Sequence, residues 1–219
     1  MNWKRQGLYL LVIALAVGPV YVPQLLAFPY SARVAGHRVW SEAPIPPRLG
    51  TLIHDADRRA AASAIATATR DQPIFLTDGG WRWTWLTLQM RSAFAITRPI
   101  SEAIVVNRSD PERDLVMTKR DIAAQTSLRR VLAHEMTHGA IRAHFGVMAD
   151  SRYPAWLREG YCDFISGGTS LTDAGAAQLL ARRQQHPALV YWQGEKRVAA
   201  ELKRNGGSVA ALFAAHRIW

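Results

Sequence analysis

A single cysteine, Cys162, excludes an internal disulfide, so cysteine usage neither supports nor opposes an oxidising compartment. Internal repeats and long low-complexity tracts are missing as well, which leaves out solenoid and fibrous architectures. Acidic residues are scarce: 17 Asp and Glu stand against 27 Lys and Arg, for a formal charge of +10. The basic residues nevertheless fall in short groups such as Arg58-Arg59, Arg129-Arg130 and Arg182-Arg183, without a long tract. A solvated surface is the plain reading of that charge, and attraction to anionic lipid headgroups or acidic partners is the functional one. No nucleic-acid-binding motif accompanies it, so a nucleic-acid partner is not expected. Nothing points to a second core either, because 219 residues, 49% of them hydrophobic, suit one compact domain plus an appendage.

What the chain does have is a chemistry-bearing helix. The stretch Arg129-Arg130-Val131-Leu132-Ala133-His134-Glu135-Met136-Thr137-His138-Gly139-Ala140-Ile141 carries the pattern H-E-x-x-H. Leu128, Val131, Leu132, Ile141 and Phe145 recur at helical spacing, Ser127 can cap the start, and Gly146 can supply the stop. Residues four apart on a helix lie one above the other, so His134 and His138 can offer two imidazole nitrogens to one tetrahedral Zn²⁺. Glu135, about 100° round the helix from His134, can then take a proton from water at the metal without being a ligand.

A second helix reads from Pro154-Ala155-Trp156-Leu157-Arg158-Glu159-Gly160-Tyr161-Cys162-Asp163, with proline near its first turn and a stop at Gly167-Gly168. Glu159 and Asp163 are again four apart and share a face. Catalytic zinc sites take three protein ligands and leave the fourth position to water, and His, His, Glu is a recurring set, so Glu159 is the expected third ligand. Asp163 is placed to accept a hydrogen bond from the outward nitrogen of a liganding histidine, His134 first, and so fix its tautomer. Gly160 would let these two helices approach closely. Cys162, inside the same helix, reads as packing.

Together, His134-Glu135-x-x-His138 and Trp156-Leu157-x-Glu159-Gly160-x-x-Asp163 resemble the gluzincin zinc metallopeptidases, the group of thermolysin-like and aminopeptidase-like enzymes. The match covers residues 132–167, and the chain lacks a GAMEN-like segment, so amino-terminal exopeptidase action is not implied. The resemblance implies a zincin-like fold in which an edge strand beside the active-site helix pairs with an extended substrate. Residues 103–107 and 115–118 are β-rich runs that read as a hairpin, and one of its strands is the candidate for that edge. Such enzymes also need a donor to a developing oxyanion; Tyr153, Tyr161 and Tyr191 are the available phenols, with Tyr191 slightly preferred.

Met1-Asn2-Trp3-Lys4-Arg5 is basic, and an uncharged run from 6 to 32 follows it, mostly apolar between 8 and 28. It is long enough to cross a bilayer as a helix, although Pro19 and Pro23 would kink or end it. An uncleaved anchor fits better than a cleaved signal, because Leu25-Leu26-Ala27-Phe28-Pro29 is a poor cleavage site. The positive-inside rule then sends the rest of the chain outward. Pro44, Pro46 and Pro47 mark 31–50 as an extended linker. Residues 51–70 read as a helix, 73–77 as a strand, and 171–185, 190–205 and 208–216 as C-terminal helices. Trp81, Trp83 and Trp85 read chiefly as core packing. His37, His54, His144, His186 and His216 share no metal-ligand spacing and read as surface or structural.

The expected protein is therefore an α+β zincin-like metallopeptidase domain (51–219) with a small sheet, an active-site helix and a C-terminal helical part. It follows an N-terminal transmembrane helix (1–30) and a linker (31–50). It would be membrane-anchored with its catalytic domain extracytoplasmic, or secreted if the segment is cleaved. Zn²⁺ is the expected cofactor, a peptide or protein the expected substrate, and Glu135 the general base. The runner-up is a catalytically inactive zincin-like domain that binds peptide or envelope ligands.

Overall fold

The computed structural model describes residues 22–66, 71–87, 90, 92–118 and 125–219, together with positions 3, 6, 7, 9, 18 and 19. Two sheets and eight α-helices make an α+β fold among these residues. The first sheet begins with an antiparallel hairpin, β1 (Tyr30–Val34) and β2 (His37–Ser41). Its two-residue loop, Ala35 and Gly36, has φ of 48° and 90°, the paired left-handed geometry that suits the twist of a tight hairpin. Helix α1 (Arg48–Ala61) carries the chain to β3 (Ile74–Leu76), which lies parallel to β2. Helix α2 (Trp81–Thr87), β4 (Ala95–Thr97) and β5 (Ile104–Val106) follow, and the strand order is β1-β2-β3-β5-β4. A smaller antiparallel sheet holds β6 (Arg108–Asp110), β7 (Leu115–Met117) and β8 (Gln125–Ser127) in that order.

Strand alternation builds two cores on the large sheet. Ile74, Leu76, Ile104 and Val106 point to the face covered by α1 and by α3 (Leu128–Phe145), where Leu49, Leu52, Ile53, Leu128, Leu132 and Met136 meet them. Phe75 and Val105 point the other way, against Trp83 and Leu86 of α2 and against Leu26. Of the three tryptophans on α2, only Trp83 is buried; Trp81 and Trp85 lie outward. The remaining helices are α4 (Ala149–Arg152), α5 (Ala155–Ser166), α6 (Asp173–Ala181), α7 (Pro187–Arg204) and α8 (Val209–Ala215). A third core gathers Ile141, Tyr153, Leu157, Tyr161, Val198, Leu212 and Phe213. Helix α3 thus lies between sheet and helical layer, with a face on each.

Helix α3 starts where Ser127 predicts, but the cap comes from elsewhere. Ser127 Oγ donates to Asp114 (2.8 Å), while Asp114 accepts from the Leu128 amide through its carbonyl (3.1 Å) and from the Arg129 amide through its carboxylate (2.9 Å). Two of the helix's orphan N–H groups are satisfied by a residue on the β6–β7 turn.

Two expectations fall here. Among the described residues no helix is long and apolar enough to cross a membrane. The expected span lies mostly at 1–21, largely outside the described residues, and its end is a short 3-10 turn, Pro23–Leu26, leading into β1. That turn is bound to the domain: Leu26 is in the core beside Phe75, and Arg82 donates to the carbonyls of Leu26 (2.9 Å) and Ala27 (3.1 Å). The N-terminal membrane anchor, and the membrane-anchored placement drawn from it, is not supported. The linker at 31–50 is likewise replaced by β1, β2 and the first residues of α1; prolines 44, 46 and 47 bridge strand to helix.

Candidate metal centre

His134 and His138 stand on the face of α3 turned to α5, with ring centroids 5.0 Å apart. One oxygen of Glu159, Oε2, lies 3.3 Å from Nε2 of His134 and 3.3 Å from Nε2 of His138. Donors bound about 2.0 Å from a tetrahedral ion stand about 3.3 Å apart, so the two edges from Glu159 to the imidazoles have the length such an ion needs. The expected His, His, Glu set is therefore brought together, each side chain mostly buried.

The surrounding charge fits a cation. Burial alone would pull His134 down, but the charge and hydrogen bond of Asp163, the hydrogen bond of Glu159 and the charge of Glu135 overcome it and hold the imidazole well above its ordinary range. Glu159 moves the opposite way: burial would raise it, and the charge of His138 with hydrogen bonds from both imidazoles holds it well below the usual carboxylate range. Asp163 Oδ1 lies 2.7 Å from Nδ1 of His134, the contact expected of an orienting carboxylate. The other oxygen of Glu159, Oε1, lies 3.6 Å from Nη1 of Arg158, which is itself held by Asp150 (3.0 Å) and the Tyr153 carbonyl (3.0 Å).

Cys162 also approaches. His134, His138 and Cys162 bring one potential ligand atom each within 4.8 Å of one another, so these three can hold a metal too. Burial, with Glu159, Glu135 and Asp163 nearby, pushes the Cys162 thiol well up. Glu159 sets one oxygen 3.3 Å from each imidazole Nε2, and that geometry favours it as the third donor.

Glu135 is 6% exposed and turns toward the large sheet, where its Oε2 accepts a hydrogen bond of 2.6 Å from Thr97 Oγ1. Thr97 ends β4, which among the described residues is an edge strand of the large sheet and packs beside α3. This corrects the expected edge: residues 103–107 and 115–118 do not form a hairpin. β5 is paired on both sides by β3 and β4, and β7 by β6 and β8, so neither has a free side. Nothing local marks the three-residue strand Ala95–Thr97 in the sequence, and Thr97 meets Glu135 across 38 positions.

Tyr191 comes from α7, its ring centroid 6.4 Å from that of His134. Burial first, then the charges of Glu159, Glu135 and Asp163, push its phenol far up, so it stays a donor. Tyr153 and Tyr161 are core residues, and Tyr161 is spent on Ser63 Oγ at 2.6 Å. Gly160 does permit a close helix crossing, but with α7 instead of α3: a Cβ there would run into the backbone of Gly194. The other histidines take no part. His37 is buried against Asp57, His216 pairs with Glu201, His186 caps α7, and His54 and His144 are exposed.

Comparison with known proteins finds no family model, no curated sequence and no solved structure that matches this chain.

Proposed function

We propose that this chain is a zinc-dependent peptidase that hydrolyses peptide bonds with Glu135 as general base. One observation carries the reading: two imidazoles on α3 each stand 3.3 Å from one carboxylate oxygen on α5, with a further carboxylate, Glu135, beside them and not needed as a ligand. A purely structural zinc site is normally closed by four protein ligands and has no use for a neighbouring base.

His134, His138 and Glu159 would hold the ion, which when bound supplies Lewis acidity, polarising a carbonyl and making water acidic enough to deprotonate near neutral pH. Glu135 accepts the proton of the attacking water and delivers it to the amine nitrogen as the C–N bond breaks. Asp163 accepts from Nδ1 of His134, leaving the Nε2 lone pair inward. The Tyr191 phenol, which keeps its proton, donates to the oxygen on which negative charge develops.

The test is a peptide-library and casein digestion by the zinc-loaded chain, followed by mass spectrometry of new termini. Cleavage that phenanthroline stops, and that Glu135→Gln lowers by about 10²- to 10⁴-fold, is the expected result. Cleavage at the normal rate by Glu135→Gln would remove the mechanism.

A further inference from the structure

We infer that Thr97 is the positioning residue for Glu135: its hydroxyl holds the base off the ligand triangle and leaves one carboxylate oxygen free to handle protons. The inference rests on the peptidase reading above and adds to it a residue outside both helical motifs.

A glutamate one position after a metal ligand has a problem. Its side chain has three torsions, it is almost fully buried, and its direct neighbour in the chain is His134, a proposed ligand. Left unrestrained, its carboxylate could swing toward an ion held there, closing the position that water needs. The Thr97 hydroxyl opposes this by hydrogen bonding to Oε2 at 2.6 Å. The same hydroxyl lies 3.0 Å from the backbone carbonyl of Glu135, and its single proton goes to the nearer acceptor, the carboxylate. Its own position is set by pairing: Thr97 sits opposite Ile104 in the antiparallel β4–β5 ladder. Threonine suits the task because branching at Cβ restricts χ1, which aims the hydroxyl at little entropic cost.

One hydroxyl proton serves one strong acceptor, so a tied Oε2 leaves Oε1 as the atom that exchanges protons with substrate and water. The consequence is kinetic. Loss of the hydroxyl should lower the chemical step while the zinc stays bound.

The experiment compares wild type, Thr97→Val and Thr97→Ser, each zinc-loaded, on a fluorogenic peptide. Valine keeps the shape and branching but deletes the hydroxyl; serine keeps the hydroxyl and deletes the methyl. A misaligned base should cost Thr97→Val about 10- to 100-fold in kcat with KM nearly unchanged and one equivalent of zinc retained. Thr97→Ser should stay within about threefold of wild type in kcat. A residue that merely packs would give the reverse order, with the serine variant impaired, and that order overturns the inference, as does an undiminished kcat in Thr97→Val. A crystal structure of zinc-loaded Thr97→Val gives a readout free of activity. The Glu135 carboxylate should have left its wild-type position and moved onto the metal; an unmoved carboxylate overturns the inference. Absence of hydrolysis in wild type itself would count against the peptidase reading, while the crystallographic result would still decide the role of Thr97.

Discussion

His134 and His37 make an instructive pair. The His37 imidazole is buried and that of His134 mostly so, and each faces an acceptor on both sides. His37, at the start of β2, has the Gln72 carbonyl 3.0 Å from Nδ1 and the Asp57 carboxylate 3.1 Å from Nε2. His134 has Asp163 at 2.7 Å and Glu159 at 3.3 Å. With acceptors on both nitrogens, a ring is best satisfied as an imidazolium, and both are raised in pKa. What separates them is His138. At His37 the cation required is one proton, which links two partners. At His134 a second imidazole shares the Glu159 oxygen, three donors meet, and a proton can satisfy only two of them at once. A four-coordinate ion satisfies all three and leaves a corner over.

Removing the third or second donor should erase that difference most completely. His138→Ala or Glu159→Ala should reduce bound zinc from one equivalent to none after dialysis, read by atomic absorption, while Asp57→Asn near His37 leaves the stoichiometry intact. Glu135→Gln should come next, losing about 10²- to 10⁴-fold in hydrolysis with zinc retained, because it removes the base and no ligand. Asp163→Asn alters only the partner of Nδ1 and should cost about 10- to 100-fold in zinc affinity by competition with a chromophoric chelator.

Proton linkage separates the two imidazoles further. Burial pulls His37 down, but hydrogen bonds from its ring to Asp57 and Gln72 and the charges of Asp57 and Asp71 leave it raised. A folded-state pKa above the unfolded value contributes stability that is fully present below about pH 6.5 and lost as pH rises through the folded value. In the zinc-loaded chain, where metal replaces the proton on His134, the unfolding free energy of wild type over His37→Asn should therefore shrink from pH 6 to pH 8 (denaturant titration). Zinc affinity should move the other way and rise over the same interval, since binding releases protons. The smallest effect belongs to Cys162→Ser, which should keep one equivalent of zinc. Loss of the metal there would make sulfur, not Glu159, the third donor.

The sequence could be read where the signal is local and periodic. His134, His138, Glu159 and Asp163 are each paired at four-residue spacing on a helix, and helical geometry alone predicts their shared faces. Glu159 and His134 come from different helices, yet the two faces are so polar within otherwise apolar segments that they had few other partners. Contacts set by strand register were not legible. The edge at Thr97 depends on β4 pairing with β5, and the cap of α3 depends on Asp114, 13 residues before Ser127. The hairpin at 30–41 was hidden for another reason: nearby prolines suggest an extended linker, whereas the signal that mattered was the left-handed pair Ala35 and Gly36.

The crossing of Gly160 with Gly194 has a consequence for how the candidate metal centre can be altered. Gly160 follows Glu159 directly, and Gly194 lies three residues after Tyr191, so main chain touching main chain sets the gap between carboxylate and phenol. Swapping aliphatic residues elsewhere in the helical layer would leave that gap nearly constant, whereas a single methyl at either glycine would wedge the two groups apart. The distance between the two groups is thus written in atoms that every amino acid shares, at two positions that must carry no side chain.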